Sequence, residues 1–229
     1  RDAVPDATTL LRFRRLLETH NLTQQIFAAV NYQLATQGLY LKEGTVVDAT
    51  IISAPPSTKN KSRSRDPEMR HTKKGNQYYF GMKAHIGVDA ASGLVHTMVT
   101  TPANAHDVTQ AHALLHGEEQ EVYGDSGYQG VEKREENKGK KVDWVIAMRH
   151  GKRRKLRESG TEEGRLVDKI EQLKSQIRAK VEHPFYWVKV HFGHRKTRYR
   201  GLAKNTAQLY SLFALANLFL SKRCMSLAG

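Results

Sequence analysis

The chain has 229 residues, with 37 Lys and Arg against 23 Asp and Glu, for a formal net charge of +14. That excess favours a polyanionic partner, because Lys and Arg release the counterions condensed on nucleic acid; the plainer reading is a merely soluble basic protein. One cysteine, Cys224, excludes an intrachain disulfide and a cysteine-based zinc cluster and is expected to pack as a small apolar residue. The longest apolar run, Ala207 to Leu220, contains Gln208, Ser211 and Asn217 and falls short of the ~20 residues of a membrane span, so it reads as a packed helix. The N-terminus has no secretory pattern, and a start at Arg1 rather than Met reads as a fragment.

Taken in order, residues 7–38 predict two helices, with Leu10, Leu11, Phe13, Leu16 and Leu17 at helical spacing and Asp6 or Thr8 as the cap. Asn21-Leu22-Thr23 breaks the run, and Gly38 ends the second helix. Residues 45–52 predict a central strand, apolar on both faces. Residues 53–77 are basic and poor in apolar residues, and read as a long exposed loop that becomes ordered on a polyanion. Strands follow at 78–89 and 94–101, joined by the turn Ala90-Ala91-Ser92-Gly93. Asp107 with Gln110 resembles a capping box for a helix through His116. A short strand leads to Asp125, a charged and at first helical segment covers 131–141, and a strand runs from Val142 to Met148. Residues 151–163 read as a basic loop. Leu166, Ile170, Leu173, Ile177, Val181 and Val188 form one apolar stripe of a long helix that Pro184 should kink, and a last helix spans 204–222. Three meandering strands followed by alternating helices and strands predict a mixed sheet with helices against it. The expected division is a helical segment at 1–42 and a main domain at 43–229.

Three acids stand in unlike settings. Asp48 lies inside the apolar strand Val46-Val47-Asp48-Ala49-Thr50-Ile51-Ile52, Asp125 ends a strand at a glycine turn, and Glu182 sits on the long helix. Each has a plainer reading: a buried acid paired with a base, a turn-forming Asp, and an i,i+4 partner of Arg178. Burying a lone carboxylate is costly, and three that converge form a hard-cation site suited to Mg²⁺ and phosphate chemistry. Arg178, Glu182 and Lys189 share one helix face at spacings of four and seven.

Basic residues cluster twice. Lys59, Lys61, Arg63, Arg65, Arg70, Lys73 and Lys74 face only Asp66 and Glu68, while Lys189, Arg195, Lys196, Arg198, Arg200 and Lys204 have no acid among them and are interleaved with Phe192 and Tyr199. His85, His106, His183 and His194 show no His-x3-His spacing and are expected to pack or to contact nucleic acid.

Asp48-Ala49-Thr50, Gly124-Asp125-Ser126-Gly127-Tyr128 and Arg178-x3-Glu182-x6-Lys189 together resemble the three catalytic blocks of bacterial DDE transposases, in particular the insertion sequence five family. Ser57 to Lys61, Phe80 to His85 and Arg198 to Asn205 also match, so the resemblance covers the chain from about residue 6. It implies a ribonuclease-H-like α/β fold. It implies that Asp48, Asp125 and Glu182 bind two divalent ions, Mg²⁺ or Mn²⁺, and that Arg178 and Lys189 hold DNA near the cleavage point. It further implies double-stranded DNA as partner, a homo-oligomer that is dimeric in synapsis, and a place in the bacterial cytoplasm at the nucleoid. Related proteins carry a tyrosine where this chain has Ser175, and more N-terminal sequence. A structure-selective nuclease of the same fold and a DNA-binding derivative without catalysis are the alternatives.

Overall fold

The computed structural model describes residues 4–40 and 42–228, with side chains through residue 222, so the packing expected of Cys224 lies outside the described side chains. Helices α1 (Ala7–Thr19) and α2 (Leu22–Thr36) precede strands β1 (Gly44–Ser53), β2 (Arg70–Lys74), β3 (Gln77–Asp89) and β4 (Val95–Pro102). A 3₁₀ segment (Asp107–Leu114) leads to β5 (Glu121–Gly124), and three short 3₁₀ turns lead on to β6 (Asp143–Ile146). Then come α3 (His150–Glu158), α4 (Glu162–Arg178), α5 (Glu182–Tyr186), a π-helical turn (Trp187–His191) and α6 (Leu202–Ala228).

The six strands make one mixed sheet in the order β2-β3-β1-β5-β6, and β4 pairs with β3 beside β2. β1 runs antiparallel to β3 and parallel to β5, which is parallel to β6. β1 is covered on both faces, as its two-sided apolar sequence predicts. Val46 and Ile52 enter the main core with Val181, Phe185, Val188, Leu209 and Phe213, whereas Val47 enters a second core with Ala111, Leu114, Val122 and Tyr128.

The turn after β3 forms because Asp89 Oδ1 accepts the Ala91 and Ser92 N–H groups while Gly93 takes a left-handed φ of 77°. In α6 the polar residue inside the apolar run has a defined task. Asn217, fully buried, accepts from Val95 N–H at 2.9 Å and donates to Val95 C=O at 2.7 Å, closing the free edge of β4 against the helix. Among the described residues no helix is long and apolar enough to cross a membrane.

Several expectations are corrected. The segment 53–77 contains β2, whose alternation carries no apolar residue and so gave no signal; it forms a hairpin with β3 around Gly75-Asn76. Within residues 57–68, Asn60 bonds Ser62 and Ser64, and Arg65 Nε donates to Pro56 C=O at 2.8 Å. Residues 150–158 are helix rather than loop, because Lys and Arg are good helix formers even where no apolar stripe exists to be counted. Asp107 does not cap its helix; it accepts from Lys83 Nζ at 2.8 Å, and the segment is 3₁₀. The apolar stripe of α4 is buried only at its far end. Leu166, Ile170 and Leu173 are 59%, 51% and 53% exposed, whereas Val181 and Val188 are buried. Pro184, which cannot donate to Lys180 C=O, follows a 3₁₀ turn at Ala179–Val181 and precedes the π turn, so the long helix is broken into pieces.

Candidate active site and nucleic-acid face

Strand register places the first two acids together. β1 pairs with β5 as Thr45 with Val122 and Val46 with Tyr123; Asp48 lies two residues further along β1, and Asp125 follows Gly124, the last residue of β5, as the cap of the next turn. Neighbouring strands stand ~4.8 Å apart, and residues in register on parallel strands point to the same face. The 3₁₀ turn Ala179–Val181 packs on β1 through the buried Val181 and brings Glu182, the first residue of α5, to this edge.

The electrostatics report the same proximity. Asp48 is half-buried, and its carboxyl is pushed up to about 6, first by burial and then by Asp125 and Glu182; the Ala49 N–H at 2.7 Å and the Arg178 guanidinium act the other way. The oxygens of the three acids are not all within 4.8 Å of one another. Asp125 caps its own turn: Oδ1 accepts from Gly127 N–H at 2.8 Å. A Cβ on residue 127 would stand 2.9 Å from that oxygen, which is why glycine follows Asp125 at this spacing. Tyr128 is buried with its hydroxyl unpartnered, its phenol pushed well up by burial and then by Asp48, Asp107 and Asp125.

The donor set fits a hard cation. It is all carboxylate oxygen, one group on β1, one capping the turn after β5 and one at the start of a helix, and the repulsion that helps raise Asp48 is what a divalent ion would remove. Arg178 sits at the same edge with a buried Nε that has no hydrogen-bond partner, a donor with no acceptor supplied by the protein.

A basic rim surrounds these acids. Lys189, on the π turn, has its ammonium pKa lowered by burial, then by Lys74 and Arg195, against the opposing pull of Glu182. Lys74, at the tip of the β2–β3 hairpin, is thus near enough to the π turn for its charge to act on Lys189. Lys59, Lys61 and Arg63 are exposed and have no ion-pair partner among the described residues; Lys73, Lys196 and Arg198 are exposed as well.

Arg200 is partly committed inward, with its guanidinium on the Ser62 and Ser64 hydroxyls, and beside it Asp66 and Glu68 accept from the Gly201 and Leu202 N–H groups at the start of α6. These two acids cap a helix; they do not neutralise the basic loop. The interleaved aromatics are also committed: Tyr199 lies under Arg14 at 4.2 Å, and Phe192 packs on Trp187 and Phe219. They are not free for bases.

The departure at Ser175 has a plain geometry, since its Oγ donates to Glu171 C=O at 2.8 Å within the helix. Of the four histidines, His85 and His194 are buried, His106 and His183 exposed, and they do not converge on one ligand site. Sequence reasoning missed α3, which adds the exposed Lys152, Arg154 and Lys155 to the basic surface; a helix that is polar all round offers only composition as a signal.

A mixed sheet flanked by helices, with one acid on β1 and another at the turn after the neighbouring β5, is the frame of a ribonuclease-H-like nucleic-acid enzyme. Residues 40–218 match the family described as transposase DDE domain, and the chain belongs to that family. It is accordingly a transposase, an enzyme of the transposase and nuclease kind whose substrate is DNA and whose family generally uses divalent metal. No solved structure matches the chain.

Proposed function

We propose that this chain is a transposase of the insertion sequence five type, which cleaves DNA at the ends of its element and transfers the freed end into target DNA. In cleavage a water oxygen bonds to phosphorus and the P–O3′ bond breaks, leaving a 3′-hydroxyl and a 5′-phosphate. In transfer that 3′-hydroxyl bonds to a target phosphorus and displaces another 3′-oxygen. Asp48, Asp125 and Glu182 are the groups that hold two Mg²⁺ or Mn²⁺ ions. When bound, such ions activate the attacking oxygen and stabilise the departing one.

The chain's own residues do the positioning. Asp48 is fixed by the pairing of β1 with β3 and by the Ala49 N–H, and Asp125 by the Gly127 N–H of its own turn. Arg178 offers its unpartnered Nε to a phosphate oxygen, and Lys74, Lys189 and Arg195 draw the backbone against the acids. Lys59, Lys61, Arg63, Arg65, Lys73, Lys196, Arg198 and Arg200 extend that contact along the duplex. In this reading residues 1–42 precede a catalytic domain at 43–229, two copies synapse a pair of ends, and the protein acts at the nucleoid in the bacterial cytoplasm. The single observation that supports it most is the juxtaposition of Asp48, Asp125, Glu182 and Arg178 at one sheet edge.

The test is transfer of a pre-cleaved element end into plasmid DNA with Mg²⁺. Joined products are expected. Hydrolysis without joining would replace the reading with a structure-selective nuclease, and binding without either reaction with a non-catalytic derivative.

A further inference from the structure

A second cluster of ligand-type side chains lies at the other end of β1. His96 on β4, and His116 and Glu119 in the turn ahead of β5, bring one ligand atom each within 4.8 Å of one another. His116 Nε2 stands 3.5 Å from Glu119 Oε1. Thr45 Oγ1, from β1, lies 3.2 Å from Glu119 Oε1 and 3.0 Å from His96 Nε2. Two ligands of a tetrahedral zinc ion with bonds of ~2.0–2.1 Å stand roughly 3.3 Å apart, close to the His116–Glu119 separation, and the other ligand atoms lie within 4.8 Å. The His96 and His116 rings meet edge to face at 4.9 Å.

Both ring nitrogens of His96 have hydroxyl partners, Thr45 and Thr97, and one polar atom of the cluster, the buried His116 Nε2, has none. The Glu119 side chain is 0% exposed and has no Lys or Arg partner among the described residues; it rests on the His116 and Gly117 N–H groups and the Thr45 hydroxyl. Burial alone would raise its carboxyl, but those N–H groups and the His116 ring hold it below the ordinary value. The backbone leaves room for the ring of His96, since a Cβ on Gly87 would lie 2.7 Å from His96 Cε1.

We propose that His96, His116 and Glu119, with Thr45 beside them, bind one zinc-class transition-metal ion that clips β4 to the turn ahead of β5. Two imidazoles and a carboxylate suit Zn²⁺, whereas Mg²⁺ takes all-oxygen sites. The site is distinct from the acidic one, because Thr45 precedes Asp48 by three residues, about 10 Å along a strand. Its burial assigns it a structural role: it joins three segments at the end of the sheet away from the DNA-facing acids. Ligation through Nε2 moves the His116 ring proton to Nδ1, which now accepts from Glu118 N–H at 3.2 Å. That contact must open, and the turn at Gly117, exposed and with open space around it, can rotate to allow it.

The inference does not depend on the proposed reaction. Untagged full-length protein, dialysed against EDTA and kept in millimolar Mg²⁺, is titrated with Zn²⁺ against a chromophoric chelator and with Co²⁺ by visible spectroscopy. One equivalent should bind, with the absorption of four-coordinate Co²⁺, and Asp48→Asn should leave that stoichiometry unchanged. His116→Gln, at a partly exposed position, should lower Zn²⁺ affinity at least about 100-fold, while His20→Gln at the surface should not. In wild-type protein one equivalent should shift the ring ¹⁵N signals of His96 and His116 and the amide of Glu118, a readout that stands even if the variant fails to fold. Absence of stoichiometric binding, equal affinity in His116→Gln, or shifts confined to other histidines would overturn the site.

Discussion

Replacing Asp48 with Asn should stabilise the metal-free protein while removing its cleavage activity. The carboxyl of Asp48 is raised from 3.8 to about 6, with burial the first cause and Asp125 and Glu182 adding to it. Two units correspond to roughly 3 kcal/mol, and because the group is half-buried, water screens part of this, leaving about 1–3 kcal/mol. The sign follows from linkage. A carboxyl raised in the fold penalises the folded state in full above about pH 6, and the penalty fades as pH falls through 6 towards 3.8, where both states are protonated. Asparagine keeps the oxygen that accepts the Ala49 N–H and removes the charge. Urea unfolding in EDTA at pH 7.5 should therefore show Asp48→Asn more stable by about 1–3 kcal/mol, an increase in Tm of ~2–4 °C per kcal/mol for a chain of this size. The difference should shrink towards zero at pH 4. Millimolar Mg²⁺ should raise the wild type and leave the variant unmoved. A variant less stable than wild type at pH 7.5 in EDTA, or a difference independent of pH, would refute the reasoning.

Gly81→Ala places a Cβ 2.2 Å from Ile52 C=O and should cost about 3 kcal/mol or more in urea unfolding by forcing β1 from β3; a neutral result would contradict that close approach. His194, buried, has its ring lowered to about 4 by burial and then by Arg198, so the unfolded chain takes up a proton below about pH 6.5 before the fold does. Its stability contribution, full at pH 7, should be lost by about 3 kcal/mol as pH falls from 6.5 to 4. The gap between wild type and His194→Gln should change by that amount, and a constant gap would count against it. Lys74→Ala and Lys189→Ala should each weaken DNA binding and reduce the slope of log affinity against log salt by about 1, measured by fluorescence anisotropy; an unchanged slope would remove those residues from the phosphate contacts.

The sheet was largely legible because its strands announce themselves by apolar content and by turn residues. The two-sided apolar run of β1 and the Ala90–Gly93 turn both lie where the residues place them. What stayed hidden had no apolar signal. β2, with the sequence Arg-His-Thr-Lys-Lys, is a strand only because the edge of β3 accepts it, and α3 is a helix by propensity and by the Arg153–Asp168 pair at 2.7 Å.

The stripe on α4 misled in the opposite direction. Helical spacing describes one face of a helix, but whether that face is covered depends on tertiary neighbours, and Leu166, Ile170 and Leu173 have none sufficient to bury them. The acids were legible as types in contrasting settings. Their proximity needed the parallel register of β1 with β5, which spacing along the chain does not encode. The cluster of His96, His116 and Glu119 escaped for the same reason: only folding brings β4 to the turn ahead of β5.

The central claim, that the acids at this sheet edge carry out DNA cleavage, is tested most directly with Glu182→Gln. Glutamine keeps the size and helix propensity of glutamate and removes one of the charges that would hold a cation. On one end-containing DNA with Mg²⁺, strand cleavage should fall to background while gel-shift affinity stays within a few-fold of wild type. Cleavage at the wild-type rate by Glu182→Gln would contradict the account.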